Sequence, residues 1–481
     1  MSRAKGERVH RTIDFLQLDL DDTPAGQLTD RLARLLRTAI ADGRLPLGSR
    51  LPPTRVLAAE LRVSRGVVTE AYRRLSEDGH VSGRRRAGTI VVAAPVRPRP
   101  PGGRRPAAVF PTEPGLDVFD TMRAVPARID LTPGVPDLTA FPRAAWSRAE
   151  RLVLRDLSAS AFGYGDPRGD PALRHAVANW LARFRGIRAD PAEVLIVAGT
   201  AQALVLLGQV LRDTGTTAVA VEDPGSLGVR QQLTSQGLAT PPVAVDGEGL
   251  RVDELRANAV MLTPAHQFPT GVVLGGTRRR ELMDWARAGG LIIEDDYDAE
   301  HRYDRRPAPA LRAMLPERVC YLGSTSKLLA PALRIGWVVA PPEYQDALVS
   351  AKRIADLGNP LLAQLTLARL LESGDLERHL RLLSRQHRRR RDTMIEAIRT
   401  HLPGAVVHGA AAGLHLMVTF DTGVDDVALV AAALTHGVKT QPLSWHSQRP
   451  TRPGLVLGYA ATPQSDIHEG IATLARVLNG A

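Results

Sequence analysis

Residues 95–114 hold seven prolines, together with Gly102, Gly103 and four arginines. Proline fixes φ and lacks a backbone N–H, so such a stretch cannot join a regular ladder or fill a core. It reads as an extended, semi-rigid spacer and divides the 481-residue chain in two. The expected organisation is a domain over 1–94, a Pro/Arg-rich linker over 95–128 and a large domain over 129–481. No apolar run approaches the roughly 20 residues needed to cross a bilayer. The opening MSRAKGERVHRTIDF has no apolar stretch of the kind a secretory signal needs. The single cysteine, Cys320, lies in the apolar run VCYLG and reads as a strand core residue rather than a nucleophile. A chain that cannot form an internal disulfide fits a reducing compartment, and a cytoplasmic protein is expected.

Charge is distributed unevenly. Residues 1–94 carry 17 Arg and Lys against 11 Asp and Glu, and 95–128 carry 6 against 3, so most of the net +11 lies before residue 129. A basic domain on a nearly neutral body points to a polyanionic partner for that domain. The basic residues are almost all arginine, and the only lysines are Lys5, Lys327, Lys352 and Lys439. Where charge alone is needed this sequence uses Arg, so each lysine raises the question of what an amine does that a guanidinium cannot. Schiff-base chemistry is one answer.

Within 1–94, LTDRLARLLRTAI (Leu28 to Ile40) has apolar residues at helical spacing and stops at Gly43. The prolines of GSRLPPTRVLAAEL mark a loop, and Thr54 is placed to cap a second helix reaching Leu61. Ser64 caps a third helix from Arg65 to about Asp78, stopped by Gly79. HVSGRRRAGTIVVA then reads as two short strands around a turn. Three helices and a hairpin in this order make a winged helix-turn-helix. Arg65, Thr69 and Arg73 share one face of the third helix, with Val68, Ala71 and Leu75 toward the core. Arg65, near the helix start, suits base edges in a major groove. Arg50 and Arg55 suit phosphates; Arg84, Arg85 and Arg86, followed by Gly88, suit a wing against the backbone or minor groove. Arg73 and Arg74 read as a solvated face. The string from LPPTRVLAAEL to AGTIVV closely resembles the winged-helix domain of GntR-family regulators over about residues 24–92. That resemblance implies a double-stranded DNA operator as partner. Gly66-Val67 stands where family members often have a polar residue and then Thr.

From Val194 onward the runs VLIVA, AVAVE, PPVAV, AVMLT, LIIED, VCYLG and RIGWVVA alternate with helical patterns. This predicts an α/β domain with a mostly parallel buried sheet. HLMVTF and LVLGY suggest a smaller α+β lobe. Four segments supply parts of one site. Gly199, Thr200 and Ala201 open a helix after VLIVA, where free N–H groups cradle a phosphate. LIIEDDYDAE delivers Asp295, suited to a pyridine nitrogen, and Tyr297, suited to a ring hydroxyl. Ser324 and Ser326 flank a phosphate-binding turn, Lys327 carries an amine for an imine, and Arg334 can clamp the phosphate with two parallel bonds. Tyr164 lies in YGDPRG.

Together these resemble the fold-type I aminotransferases, over about residues 129–481. The resemblance implies pyridoxal 5'-phosphate as cofactor and Lys327 as the Schiff-base lysine. It makes Asp295 the pyridine partner, Tyr297 the ring-hydroxyl partner and Arg334 the phosphate clamp. Tyr164 then reaches a phosphate across a homodimer interface, and His266 stands where the usual N-P-T-G segment has Asn. A GntR-like head on such a body is the architecture of the MocR subfamily, which implies a head-to-tail dimer and a DNA-binding regulator. The expected effector is pyridoxal phosphate, as in members controlling vitamin B6 synthesis, or an amine or amino-acid adduct. The other reading is an active aminotransferase with a DNA-binding head. Against that, Ser226 occupies the position of the usual ring-stacking aromatic. Leu455, Val456 and Leu457 occupy the region where aminotransferases place the Arg that binds a substrate carboxylate, with Arg452 nearby as a substitute.

Overall fold

The computed structural model describes residues 20, 23–84, 88–93, 109–302, 308–410, 412–421 and 423–480. It divides into two compact units, 1–106 and 107–481. None of the described helices is long and apolar enough to cross a membrane.

The first unit contains α1 (Leu28–Ala41), α2 (Thr54–Glu60), α3 (Arg65–Glu77) and an antiparallel hairpin of β1 (Val81–Arg84) and β2 (Gly88–Val91). Leu32, Leu36 and Ile40, spaced four apart on α1, pack with Leu57 of α2, Val68, Ala71 and Leu75 of α3, and Val81 and Val91 of the hairpin. That spacing puts each helix's apolar residues on one face, which this small core buries. Ser64 caps α3 by accepting a hydrogen bond from the Val67 N–H. Thr54 does not cap α2: the cap position is Pro53, and Thr54 is the first helical residue. Gly88 opens β2 at φ 79°, a left-handed conformation that suits glycine.

The second unit begins with residues assigned above to the linker. Phe110 and α4 (Val118–Ala124) belong to it, and Phe110, Val118 and Met122 are buried in a core of this unit. The indole of Trp445 draws that segment in by donating to the Pro111 carbonyl at 2.9 Å. Four arginines and the proline run masked this docking, because Phe110, Val118 and Met122 are too few to give a period.

The central sheet has eight strands: β4 (Val194–Val197), β5 (Ala220–Asp223), β6 (Pro242–Asp246), β7 (Gly249–Leu250), β8 (Ala259–Leu262), β9 (Leu291–Asp295), β10 (Val319–Ser324) and β11 (Gly336–Val339), in the order β4-β11-β10-β9-β8-β5-β6-β7. The pairings from β10 through β9, β8 and β5 to β6 are parallel, and β11 is antiparallel to both its neighbours. Alternate residues of one strand enter different cores: Leu195 and Val197 one, Val194 and Ile196 another. Both faces are therefore covered, which is why these strands read as unbroken apolar runs. Cys320 is buried there and its thiol is pushed up to about 12 by burial, the state of a core residue.

A smaller lobe carries β12 (Ala405–His408), β13 (His415–Phe420), β15 (Gln441–Pro442) and β16 (Gly454–Gly458) as an antiparallel sheet, while β3 (Ile129–Asp130) pairs in parallel with β14 (Val438–Lys439). Two chain segments bear most on the site: α5 (Pro342–Asp356), which follows β11, and the 27-residue α6 (Asp375–His401).

Candidate cofactor site and DNA interface

The parallel strands end together, and their C-terminal ends carry the polar residues. Asp295 closes β9 almost fully buried, and its Oδ1 has no hydrogen-bond partner among the described residues. Burial first, then the neighbouring Asp296 and Asp298, push its carboxyl up to about 7. A buried carboxylate oxygen without a donor is costly, and a protonated ring nitrogen is the kind of donor that offsets it. The Tyr297 hydroxyl lies 3.1 Å from His266 Nδ1, which also pairs with Asp298 Oδ2 at 2.8 Å. His415 packs beside His266, with ring centroids 5.2 Å apart, and burial pushes it down to about 3, so it is a neutral imidazole. His266, Asp298 and His415 offer ligand atoms within 4.8 Å of one another. The 2.8 Å contact with Asp298 orients the His266 imidazole beside the Tyr297 hydroxyl. Neither Asp298 nor His415 was singled out from the sequence, although Asp298 lies in the same DDYD run as Asp295.

Lys327 follows β10, and its ammonium donates to the Gly134 carbonyl. Burial lowers its pKa, opposed by Asp298 and Asp295, which favours the neutral nucleophilic amine. Its own carbonyl lies 3.1 Å from His301 Nε2. The His301 ring in turn packs at 5.1 Å on His387 of α6.

The other end of the site is a turn rather than a pocket. Gly199 caps the helix Thr200–Asp213 at φ 83°, and a Cβ there would stand 3.4 Å from the Arg334 guanidinium. The left-handed φ is what favours glycine here, since 3.4 Å to the end of a flexible side chain is an ordinary contact. Arg334, itself left-handed at φ 50°, donates to the Ala198 carbonyl. Ser324 Oγ donates to Ser326 Oγ at 2.8 Å and accepts from the Ser326 N–H at 3.0 Å. The first N–H groups of a helix, two hydroxyls and an exposed guanidinium converge there, as a phosphate requires.

Three expectations turn out differently or gain a reason. Ser226 Oγ accepts from the Val229 N–H and caps the helix Leu227–Ser235, so its small polar side chain serves the backbone instead of stacking on a ring. Arg452 is exposed and pairs with Asp421 at 3.1 Å, so it does not replace the carboxylate-binding arginine. Val456 packs with Met417, Leu443 and Phe268 in an apolar cluster. Tyr164 is 96% exposed, so the described residues leave its ring uncovered.

In the first unit Arg50, Arg55, Ser64, Arg65 and Thr69 are all exposed. Arg65 Nε reaches Thr54 Oγ1 at 3.4 Å, and Thr69 Oγ1 donates back to the Arg65 carbonyl. Arg73 instead pairs with Glu70 and Glu77, and Arg74 with Glu70 and Asp30, so these two are spent on the protein's own carboxylates. Arg84 ends β1, while Arg85 and Arg86 lie outside the described residues.

A helix-turn-helix head and an aminotransferase-like body define the class: a regulator built on an enzyme fold. Residues 28–91 match the bacterial regulatory proteins of the gntR family, and residues 128–471 match class I and II aminotransferases. The chain is 34% identical over 477 residues to the "Probable rhizopine catabolism regulatory protein MocR" of Rhizobium meliloti, covering 96% of this chain and 95% of the relative. It is 31% identical over 456 residues to the pyridoxine biosynthesis transcriptional regulator PdxR of Corynebacterium glutamicum, covering 93% and 94%. Among solved structures, the α-aminoadipate aminotransferase LysN of Thermus thermophilus, complexed with N-(5'-phosphopyridoxyl)-L-leucine, superposes at TM-score 0.68 and 30% identity over 73% of this chain and 92% of that one. The chain belongs to the MocR subfamily of GntR-family transcriptional regulators.

Proposed function

We propose that the second unit binds pyridoxal phosphate covalently through Lys327 and that its occupancy sets the DNA affinity of the first. The observation that carries this reading is the unpartnered Asp295 Oδ1, aimed into a site that also holds an amine and a phosphate cradle. Asp295 would hold the ring nitrogen, Tyr297 the ring hydroxyl with His266 behind it, and Arg334, Ser324, Ser326 and the Gly199–Ala201 turn the phosphate. Bound pyridoxal phosphate supplies an aldehyde for Lys327 and a ring that stores electrons. Among the described residues, neither the 455–457 strand nor Arg452 supplies a cation that would hold a substrate carboxylate. Val456 sits in an apolar cluster and Arg452 points to Asp421, so tight capture of ordinary α-amino acids is disfavoured. That supports a sensor over a transaminase. The nearly bare Tyr164 ring supports a homodimer in which a second copy covers it. Arg50, Arg55, Ser64, Arg65, Thr69 and the wing from Arg84 to Gly88 would meet the operator.

The test is a visible-absorption titration of the full chain with pyridoxal phosphate beside Lys327→Ala, repeated with its own upstream DNA. A band that needs Lys327 and a cofactor-dependent change in DNA affinity are expected. Ordinary enzyme rates of transamination with common amino acids would overturn the sensor reading.

A further inference from the structure

Lys352 stands behind the phosphate cradle, fully buried on α5. Its ammonium makes three convergent bonds: to Gln202 Oε1 at 2.9 Å, Asp356 Oδ2 at 2.7 Å and Asn359 Oδ1 at 2.7 Å. All three donors of the amine are therefore used.

Two of those partners are the supports of the cradle's two sides. Gln202 Oε1 also accepts the Ala198 N–H at 2.7 Å, which fixes the residue leading into the Gly199 turn. Asn359 Nδ2 donates to the Arg334 carbonyl at 3.0 Å, which holds the left-handed backbone from which the guanidinium extends. Asp356 closes the frame, accepting from Gln202 Nε2 at 2.7 Å and from the Gly358 N–H at 2.9 Å. The ion pair with Asp356 leaves little net charge to act at a distance, so the contribution is geometric. A planar guanidinium cannot direct three donors to three tetrahedrally disposed acceptors in a fully buried space. That accounts for a lysine here in a chain that uses arginine almost everywhere else.

We infer that Lys352 is a positioning residue that locks the Gly199 turn and Arg334 in register and thereby sets the selectivity of the site for a phosphorylated ligand. This inference rests on the proposed binding of pyridoxal phosphate. Losing the frame leaves Lys327 and Asp295 in place, since neither touches it among the described contacts, but lets the two sides of the cradle move apart.

The experiment titrates the full chain with pyridoxal phosphate and with unphosphorylated pyridoxal, in wild type, Lys352→Arg and Lys352→Met. Binding is read from the Lys327-dependent absorption band. A second reading is the rise in melting temperature produced by inorganic phosphate alone. Both variants should weaken pyridoxal phosphate by about 10- to 100-fold, the value of a charge-assisted hydrogen bond or two. Pyridoxal binding should change by less than about 2-fold, and stabilisation by inorganic phosphate should disappear. Equal weakening of both ligands, or no weakening of either, would overturn the inference. If Lys352→Met does not fold, Lys352→Arg keeps the charge and decides the question. A wild type that shows no band but is stabilised by phosphate, with that stabilisation lost in both variants, would count against the proposed cofactor while upholding this inference.

Discussion

The two units use their cations in opposite ways. In the first, arginines are spread over the surface: Arg50, Arg55 and Arg65 are exposed, with no carboxylate partner among the described contacts. In the second, the three described lysines are each enclosed by specific acceptors. Lys327 faces Gly134, Lys352 faces Gln202, Asp356 and Asn359, and Lys439 faces Asp130 and the carbonyls of Met122 and Val125. A surface that meets a phosphate backbone needs charge and reach, which tolerate many placements. A buried amine is defined by its acceptors and tolerates one.

Exchanging cations should expose the difference. The largest effect is expected for Lys327→Arg, which keeps the charge and should abolish the absorption band entirely, measured by the same titration. Asp295→Asn should come next. It should weaken the cofactor by about 10- to 100-fold, the loss of one hydrogen bond between charged groups. In the cofactor-free protein it should raise stability at pH 8. The sign follows from a folded pKa of about 7 against 3.8 unfolded: the wild-type carboxyl destabilises the fold progressively between those values. The stability gain from Asn should therefore vanish as the pH falls toward 4, which chemical denaturation at several pH values would check. Lys439→Arg should cost about 1–3 kcal/mol by overpacking. Arg65→Ala should weaken operator binding by about 1–3 kcal/mol and leave the absorption band unchanged, measured by DNA titration at fixed salt. Arg73→Ala, whose guanidinium is already held by Glu70 and Glu77, should change DNA affinity by less than about 3-fold. If Arg73 mattered as much as Arg65, the distinction between free and self-paired arginines would fail.

Much of this was legible in the chain. The helices of the first unit followed from apolar spacing, and Ser64 from its place ahead of Arg65. The sheet followed from strands apolar on both faces, and Lys327 from its rarity and its S-x-x-K setting. What stayed hidden lies in contacts between distant segments. His415 joins His266 across 149 positions only when the smaller lobe folds back. Lys352 joins Gln202 across 150 and Asn359 across 7, and no spacing rule links them. The docking of Phe110 beside Trp445 was hidden because the prolines around it spoke only for extension. Ser226 was seen as a missing aromatic, whereas its own contribution is to the backbone of the helix it begins.

The unpartnered Asp295 has one more consequence, for proton accounting. With burial holding its carboxyl up at about 7, against 3.8 for an exposed aspartate, that position can carry a proton near neutral pH. A protonated Asp295 can hand its proton to a ring nitrogen that arrives without one, and loading then takes nothing from solution. An ionised Asp295 has no proton to give, so a ring in the same state must draw one from the buffer. The share of proton uptake due to Asp295, read as the difference between wild type and Asp295→Asn in how the binding heat varies with buffer ionisation enthalpy, should therefore be larger above pH 7 than below it.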